Sequence, residues 1–319
     1  MYTSKPIDRR KFITTMAATG IAIPFAKLSG RNLSLLPDKK GHPICVFSKH
    51  LQFLPDYQSM AEVAAEIGFD GIDLTVRPGG HVLPENVQKD LPRAVSALKK
   101  AGLEVPMMVT KITDPDDPLT EPILETARTE GIGYYRMGYF KHEKNTTVLQ
   151  SLETVKSSFD KLARLNEKYN IVGMYQNHSG NRFGSPLWDL WEVLKGLDPK
   201  WMGCQYDIRH AIVEGANSWP QAMELLKPYI KTTAIKDFYW KKENKKWNIQ
   251  NCSLGTGMVD FKQYFEFYKK LGVSGSVSMH FEYKHYDTSD PLEGKRKNTI
   301  EIMKEDLTTL QTMLKKFNI

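Results

Sequence analysis

The 319-residue chain contains several short apolar runs that end in side chains able to act on small polar molecules. They carry, in order, Lys49 and His50; Asp73 and then Arg77-Pro78-Gly79-Gly80-His81; Thr110-Lys111; Arg136 among aromatics; Gln176-Asn177-His178-Ser179-Gly180; Asp207 with Arg209-His210; Lys236-Asp237; and His280-Phe281-Glu282-Tyr283. A carboxylate such as Glu282 can take a proton from carbon next to a carbonyl. A fixed cation such as Lys236 or Arg136, or a metal ion held by carboxylates, can hold the enolate that results. A plainer reading exists for each group: strand-end histidines are often structural, and Asp207 and Glu282 could be buried partners of Lys236 or Arg209.

These residues need elements to bring them together. Strand-length runs cover Ile44–Phe47, Gly71–Leu74, Val105–Val109, Tyr134–Met137, Val172–Tyr175, Met202–Tyr206, Thr232–Ile235 and Ser276–Phe281. Between them lie stretches of helical period, such as Met60-Ala61-x-Val63-Ala64-x-x-Ile67 and Leu91-x-x-Ala94-Val95-x-Ala97-Leu98. Helices are also expected over Leu149–Lys168, Leu187–Leu194, Trp219–Leu226, Phe261–Lys270 and Thr299–Lys316. Glycines at 68, 102 and 272 stop helices before the next strand. Eightfold strand–helix alternation predicts a (β/α)8 barrel, with the chemistry at the C-terminal strand ends. A doubly wound sheet fits less well, because the first turn, Ser48-Lys49-His50-Leu51-Gln52, has no glycine to bring backbone amides to a pyrophosphate.

Composition narrows the class. Hydrophobic residues are 41%, aromatics 11% and charged residues 25%, which excludes disordered, collagenous and multi-span membrane chains. The three cysteines, Cys45, Cys204 and Cys252, suggest neither a disulfide framework nor a zinc cluster. Of the net charge of +7, a surplus of four lies in residues 1–30 (Lys5, Arg9, Arg10, Lys11 and Lys27 against Asp8), leaving about +3 elsewhere, interleaved with acids. No nucleic-acid partner is expected. Asp8-Arg9-Arg10-Lys11-Phe12-Ile13 before a weakly apolar stretch to Ala26 reads as a twin-arginine export signal, too short for an anchor. The expected organisation is a signal at residues 1–30, a linker at 31–41 and a single barrel at 42–319, exported to the periplasm with no membrane anchor after processing.

The Tyr175–Gly180 segment and Asp207-x-x-His210 resemble motifs of the sugar phosphate isomerase/epimerase superfamily, the xylose-isomerase-like TIM barrels. Ile235-Lys236-Asp237, Leu254-Gly255-x-Gly257-x-Val259-Asp260 and Glu282 support the resemblance. It covers nearly all of residues 42–319. It implies a divalent ion (Mn, Zn or Fe) held by Asp207, Glu282 and Gln176, with His280 as a replacement ligand. Two positions depart from the family: Gln176 stands for a glutamate, and Ala234 stands where the family has histidine. Glutamine supplies no charge and no base, and alanine ligates nothing. Two-base epimerisation is therefore disfavoured, while single-base isomerisation, dehydration or β-elimination is retained. The expected catalytic residues are Glu282, Lys236 and His210, and the expected substrate contacts are Arg77, His81, Arg136, Asn177, His178 and Trp240. The expected substrate is a small, non-phosphorylated sugar or keto-sugar, including 3-keto-glycosides. The competing reading is a non-catalytic sugar-binding barrel. Homo-oligomerisation is left open.

Overall fold

In the computed structural model, which describes residues 42–142 and 145–319, eight parallel strands close on themselves in one sheet. They are β1 (Ile44–Phe47), β2 (Gly71–Thr75), β3 (Glu104–Val109), β4 (Tyr134–Arg136), β5 (Val172–Gln176), β6 (Met202–Asp207), β7 (Ile230–Ile235) and β10 (Val277–Met279), with β10 pairing to β1 to complete the ring. The missing numbers, β8 (Asp237–Glu243) and β9 (Lys246–Cys252), form a separate antiparallel hairpin. Helices α1 (Tyr57–Ile67), α2 (Val87–Lys100), α3 (Thr120–Thr129), α4 (Val148–Tyr169), α5 (Leu187–Leu194), α6 (Ile208–Gly215), α7 (Trp219–Leu226), α8 (Phe261–Leu271) and α9 (Leu292–Phe317) cover the outside. The expected signal and linker lie outside the described residues. Among the described residues no helix is long and apolar enough to cross a membrane.

Glycine stops do what the sequence predicts. Gly68 (φ 104°), Gly102 (φ 81°) and Gly272 (φ 63°) take the left-handed backbone that ends a helix and turns the chain inward. Strand residues then alternate between two environments. Outward side chains, such as Met202, Cys204 and Tyr206 of β6, join the large core under the helices. Inward ones form the barrel filling, a small cluster of Met107, Val172 and Met174 with Tyr134. The same alternation carries Asp73, Arg136, Gln176, Asp207 and Lys236 up the inward face to the C-terminal mouth.

Several bounds shift. β4 stops at Arg136 and β10 covers only Val277–Met279, because the chain leaves the ladder to form the mouth. α9 starts at Leu292, seven residues before the expected Thr299. Helices α3 and α6 and the β8–β9 hairpin are not among the expected elements.

Candidate active site

The centre is built on Asp207, fully buried at the end of β6. One oxygen, Oδ1, accepts the backbone N–H of His210 at 3.1 Å and so caps α6. The other, Oδ2, accepts from Gln176 Nε2 at 2.8 Å and pairs with Lys236 Nζ at 3.1 Å. Lys236, 5% exposed, also lies 2.9 Å from His210 Nε2. Asn177 clamps the backbone of residue 207 from both sides, giving Nδ2–H to its carbonyl at 2.9 Å and taking its N–H at 2.7 Å. Asn177, expected to bind substrate, is thus turned onto the chain and positions Asp207.

The surroundings of His210 fix its proton. Its Nδ1 accepts the Ser179 backbone N–H at 3.1 Å and faces Arg209 Nη1 at 2.8 Å, two donors that cannot reverse. The ring proton therefore sits on Nε2, pointing at Lys236. With the ring proton on Nε2, Lys236 can hydrogen-bond His210 only once its amine is deprotonated and presents a lone pair, while it still gives one N–H to Asp207. Burial, opposed by Asp207 and Glu282, lowers the Lys236 pKa. Burial and the neighbouring Lys236 push His210 well below its ordinary range. His178 stacks on His210, with ring centres 3.9 Å apart, and burial lowers it to about 4.

Gln176 has no free oxygen. Arg136 Nη1 and Tyr139 Oη both donate to its Oε1 at 2.6 Å. Arg136 is 4% exposed, its Nε has no hydrogen-bond partner, and its guanidinium lies 5.2 Å from the Phe47 ring centre. Arg77, half-buried on the loop after β2, faces the same ring at 5.5 Å. Glu282 pairs with Lys49 at 3.1 Å; burial raises its carboxyl, but Lys236 and Lys49 outweigh it and hold the pKa at about 2. At that value Glu282 is ionised throughout the useful pH range and is a weak base.

This donor set does not fit a divalent ion. The oxygen that Gln176 would offer is taken twice, Asp207 is engaged by an amine, and Ala234, register partner of Asp207, offers nothing. Among the described residues no three His, Cys, Asp or Glu side chains are grouped to hold a metal. His280 does not rescue the set: it stacks on Phe47 at 4.6 Å, its Nε2 buried without a partner. His50 spends its Nε2 on the Phe281 N–H at 3.0 Å. His81 is anchored to Thr75 Oγ1 at 2.9 Å and lines a groove beside α1 with Gln52 and Tyr57. Trp240 stands out on the hairpin. Sequence reasoning missed Asn251, which accepts from Arg209 Nη2 at 2.5 Å and donates to the Glu282 carbonyl at 3.0 Å; nothing local marks a hairpin asparagine as a neighbour of the barrel mouth.

A family model described as xylose isomerase-like TIM barrel matches residues 61–311. The chain belongs to the xylose isomerase-like TIM barrel family. A search of curated proteins finds no match. Solved structures share the family's barrel at low identity. A 3-keto-D-glucoside 4-epimerase from E. coli is 15% identical, with TM-score 0.62 over 82% of this chain and 99% of that one. An L-ribulose 3-epimerase is 15% identical, with TM-score 0.64 over 87% and 96%. A D-psicose 3-epimerase, solved in the presence of D-fructose, is 12% identical, with TM-score 0.63 over 85% and 99%. Members of this family are often metal-dependent, which makes the donor set described above a departure within it.

Proposed function

We propose that the protein is a sugar-processing enzyme that removes a proton from carbon next to a carbonyl without a metal ion. Its substrate is a non-phosphorylated sugar or keto-sugar of the 3-keto-glycoside kind. The carrying observation is Lys236, whose amine is held between Asp207 at 3.1 Å and His210 at 2.9 Å where the family places a metal ligand set, a position from which it acts as a base once deprotonated. Sugar epimerases among the structural relatives support the substrate class.

In this reading the C–H bond breaks and its proton passes to Lys236 Nζ, which becomes an ammonium stabilised by Asp207. The electron pair moves onto the carbonyl oxygen, where Arg136 holds the enolate charge. For an isomerisation, the proton of the hydroxyl on the carbon that lost its hydrogen passes to the enolate oxygen and the ammonium returns its proton to the former carbonyl carbon; for an elimination, the enolate re-forms its carbonyl as the ammonium protonates the departing β-oxygen. His210 positions the amine, and ionised Glu282 orients hydroxyl groups. One base serves both steps, so inversion by a second base has no residue to perform it. Residues 1–30 support export of the enzyme to the periplasm, which fractionation of expressing cells tests.

The deciding measurement is turnover on keto-sugars and 3-keto-glycosides with and without chelator. Chelator-resistant turnover that Lys236→Met abolishes is expected. Turnover lost on chelation and restored by Mn²⁺ would overturn the metal-free mechanism. The second reading, a non-catalytic sugar-binding barrel, draws on the replacement of two family ligands by Gln176 and Ala234; it is the outcome if sugars bind and none turns over.

A further inference from the structure

The hairpin begins one residue after Lys236 and carries exposed aromatics that the chemistry above does not use. Opposite residues in an antiparallel pair share a face. The register Phe238↔Asn251, Trp240↔Ile249, Lys242↔Trp247 therefore puts Phe238, Trp240 and Trp247 on one side. The root of that side is tied to the site: Asn251 bonds Arg209 and the Glu282 carbonyl, and Phe238 lies 5.7 Å from the Arg209 guanidinium. Exposure rises outward, from buried Phe238 to Trp240 at 38% and Trp247 at 62%. Met258, 56% exposed, joins the two tryptophans around an open niche of about 610 Å³. At a strand rise of about 3.4 Å per residue, Trp240 sits about 7 Å and Trp247 about 14 Å beyond Asn251. Those distances match a second and a third ring attached to a sugar held at the mouth.

From this we infer that the Trp240–Trp247–Met258 face is a distal subsite for the aglycone of a glycoside substrate, with preference for a flat or apolar ring. It rests on the proposed sugar chemistry only for what occupies the mouth. A ring stacked on tryptophan gains contact area without needing hydrogen-bond partners, which suits a site meeting varied aglycones. Continuity with the Arg209–Glu282 edge selects a small-molecule occupant over a second copy of the chain.

Calorimetric titration with 4-nitrophenyl β-D-glucoside and methyl β-D-glucoside tests it on the whole protein. The aryl glycoside is expected to bind roughly tenfold more tightly, the size of one good aromatic contact. The double variant Trp240→Ala/Trp247→Ala is expected to erase that preference while melting at the parent's temperature. If the double variant melts early, Trp247→Gln alone, at the more exposed position, is expected to reduce the preference. Equal binding of the two glycosides, a preference that survives the substitutions, no measurable binding of the aryl glycoside, or a dimer dispersed by the substitutions with the preference intact would each overturn the inference. Turnover is read separately. An aryl preference without turnover leaves this subsite and removes the enzyme, and turnover without the preference does the reverse.

Discussion

Lys236 is the residue whose chemistry changes most between sequence and fold. Its place beside the family's ligand positions is legible from Ile235-Lys236-Asp237; its protonation is not. It depends on Ser179 after β5 and on the adjacent Arg209 and His210 of α6, which together turn the His210 ring proton toward the amine. Lys236→Met is expected to lower kcat by about 10³-fold, within the range for a general acid–base residue. Lys236→Arg should not rescue it, because a guanidinium does not give up its proton. Since burial lowers the Lys236 pKa, activity should rise with pH as the amine deprotonates and then level off; the kcat/KM profile reads this limb. A Lys236→Arg variant with near-parent rate, or a parent rate falling over that range, would remove the amine from the mechanism. The metal departure can be run backwards. Gln176→Glu with Ala234→His and Lys236→Met supplies the two lost ligands and withdraws the competing amine, so stoichiometric Mn²⁺ binding should appear by calorimetry where the parent shows none.

At the scale of elements, Asp237 joins the hairpin to the rest of the mouth. Its buried carboxylate accepts N–H groups from Gly255 at 3.0 Å, Gly257 at 2.9 Å, Val259 at 3.2 Å and Phe238 at 2.8 Å. This explains Gly257, where a side chain would run into that carboxylate, while Gly255 is called for by its left-handed backbone (φ 83°). Asp237→Ala orphans four donors, of which the Val259 and Phe238 N–H groups are buried, and should cost about 3 kcal/mol. It should also release hairpin amides to hydrogen exchange ahead of barrel amides; uniform protection across both would show that the carboxylate does not anchor the hairpin. The barrel was legible in sequence because eight apolar runs alternate with amphipathic helices closed by glycines such as Gly68 and Gly272. The hairpin was not, because β8 starts after Lys236 with no spacer and its residues Trp240–Glu243 are largely polar and solvated. Its turn, Asn244 (φ 49°) and Lys245 (φ 63°), lacks the glycine that usually announces such a hairpin.

For the whole molecule, the burial that builds the mouth also sets how the fold answers acid. Burial lowers His50 to about 3 and His81, His178 and His285 to about 4, against about 6.5 in an unfolded chain. Below pH 6.5 the unfolded state gains protons that these folded histidines refuse, so their contribution is complete above pH 6.5 and is lost as pH falls toward 4. Buried Asp73 and Asp189 act with the opposite sign. Burial raises each to about 6, so the folded state holds their protons better than the unfolded one, and their contribution fades as pH rises from about 4 to 6. His210 and His280, held well below their ordinary range by burial, add to the four, so six histidines against the raised acids Asp73, Asp189 and Asp306 leave a net uptake of protons on unfolding, and stability is lost as pH falls from 6 to 4. Urea midpoints should therefore fall steeply between pH 7 and 4.5 at constant slope. Asp73→Asn removes one opposing acid, so it should gain stability at pH 7 and lose it faster on acidification than the parent does. A midpoint that held steady down to pH 4.5 would mean that these histidines are not buried as neutral rings, and the packing of His178 against His210 behind Lys236 would fall with them.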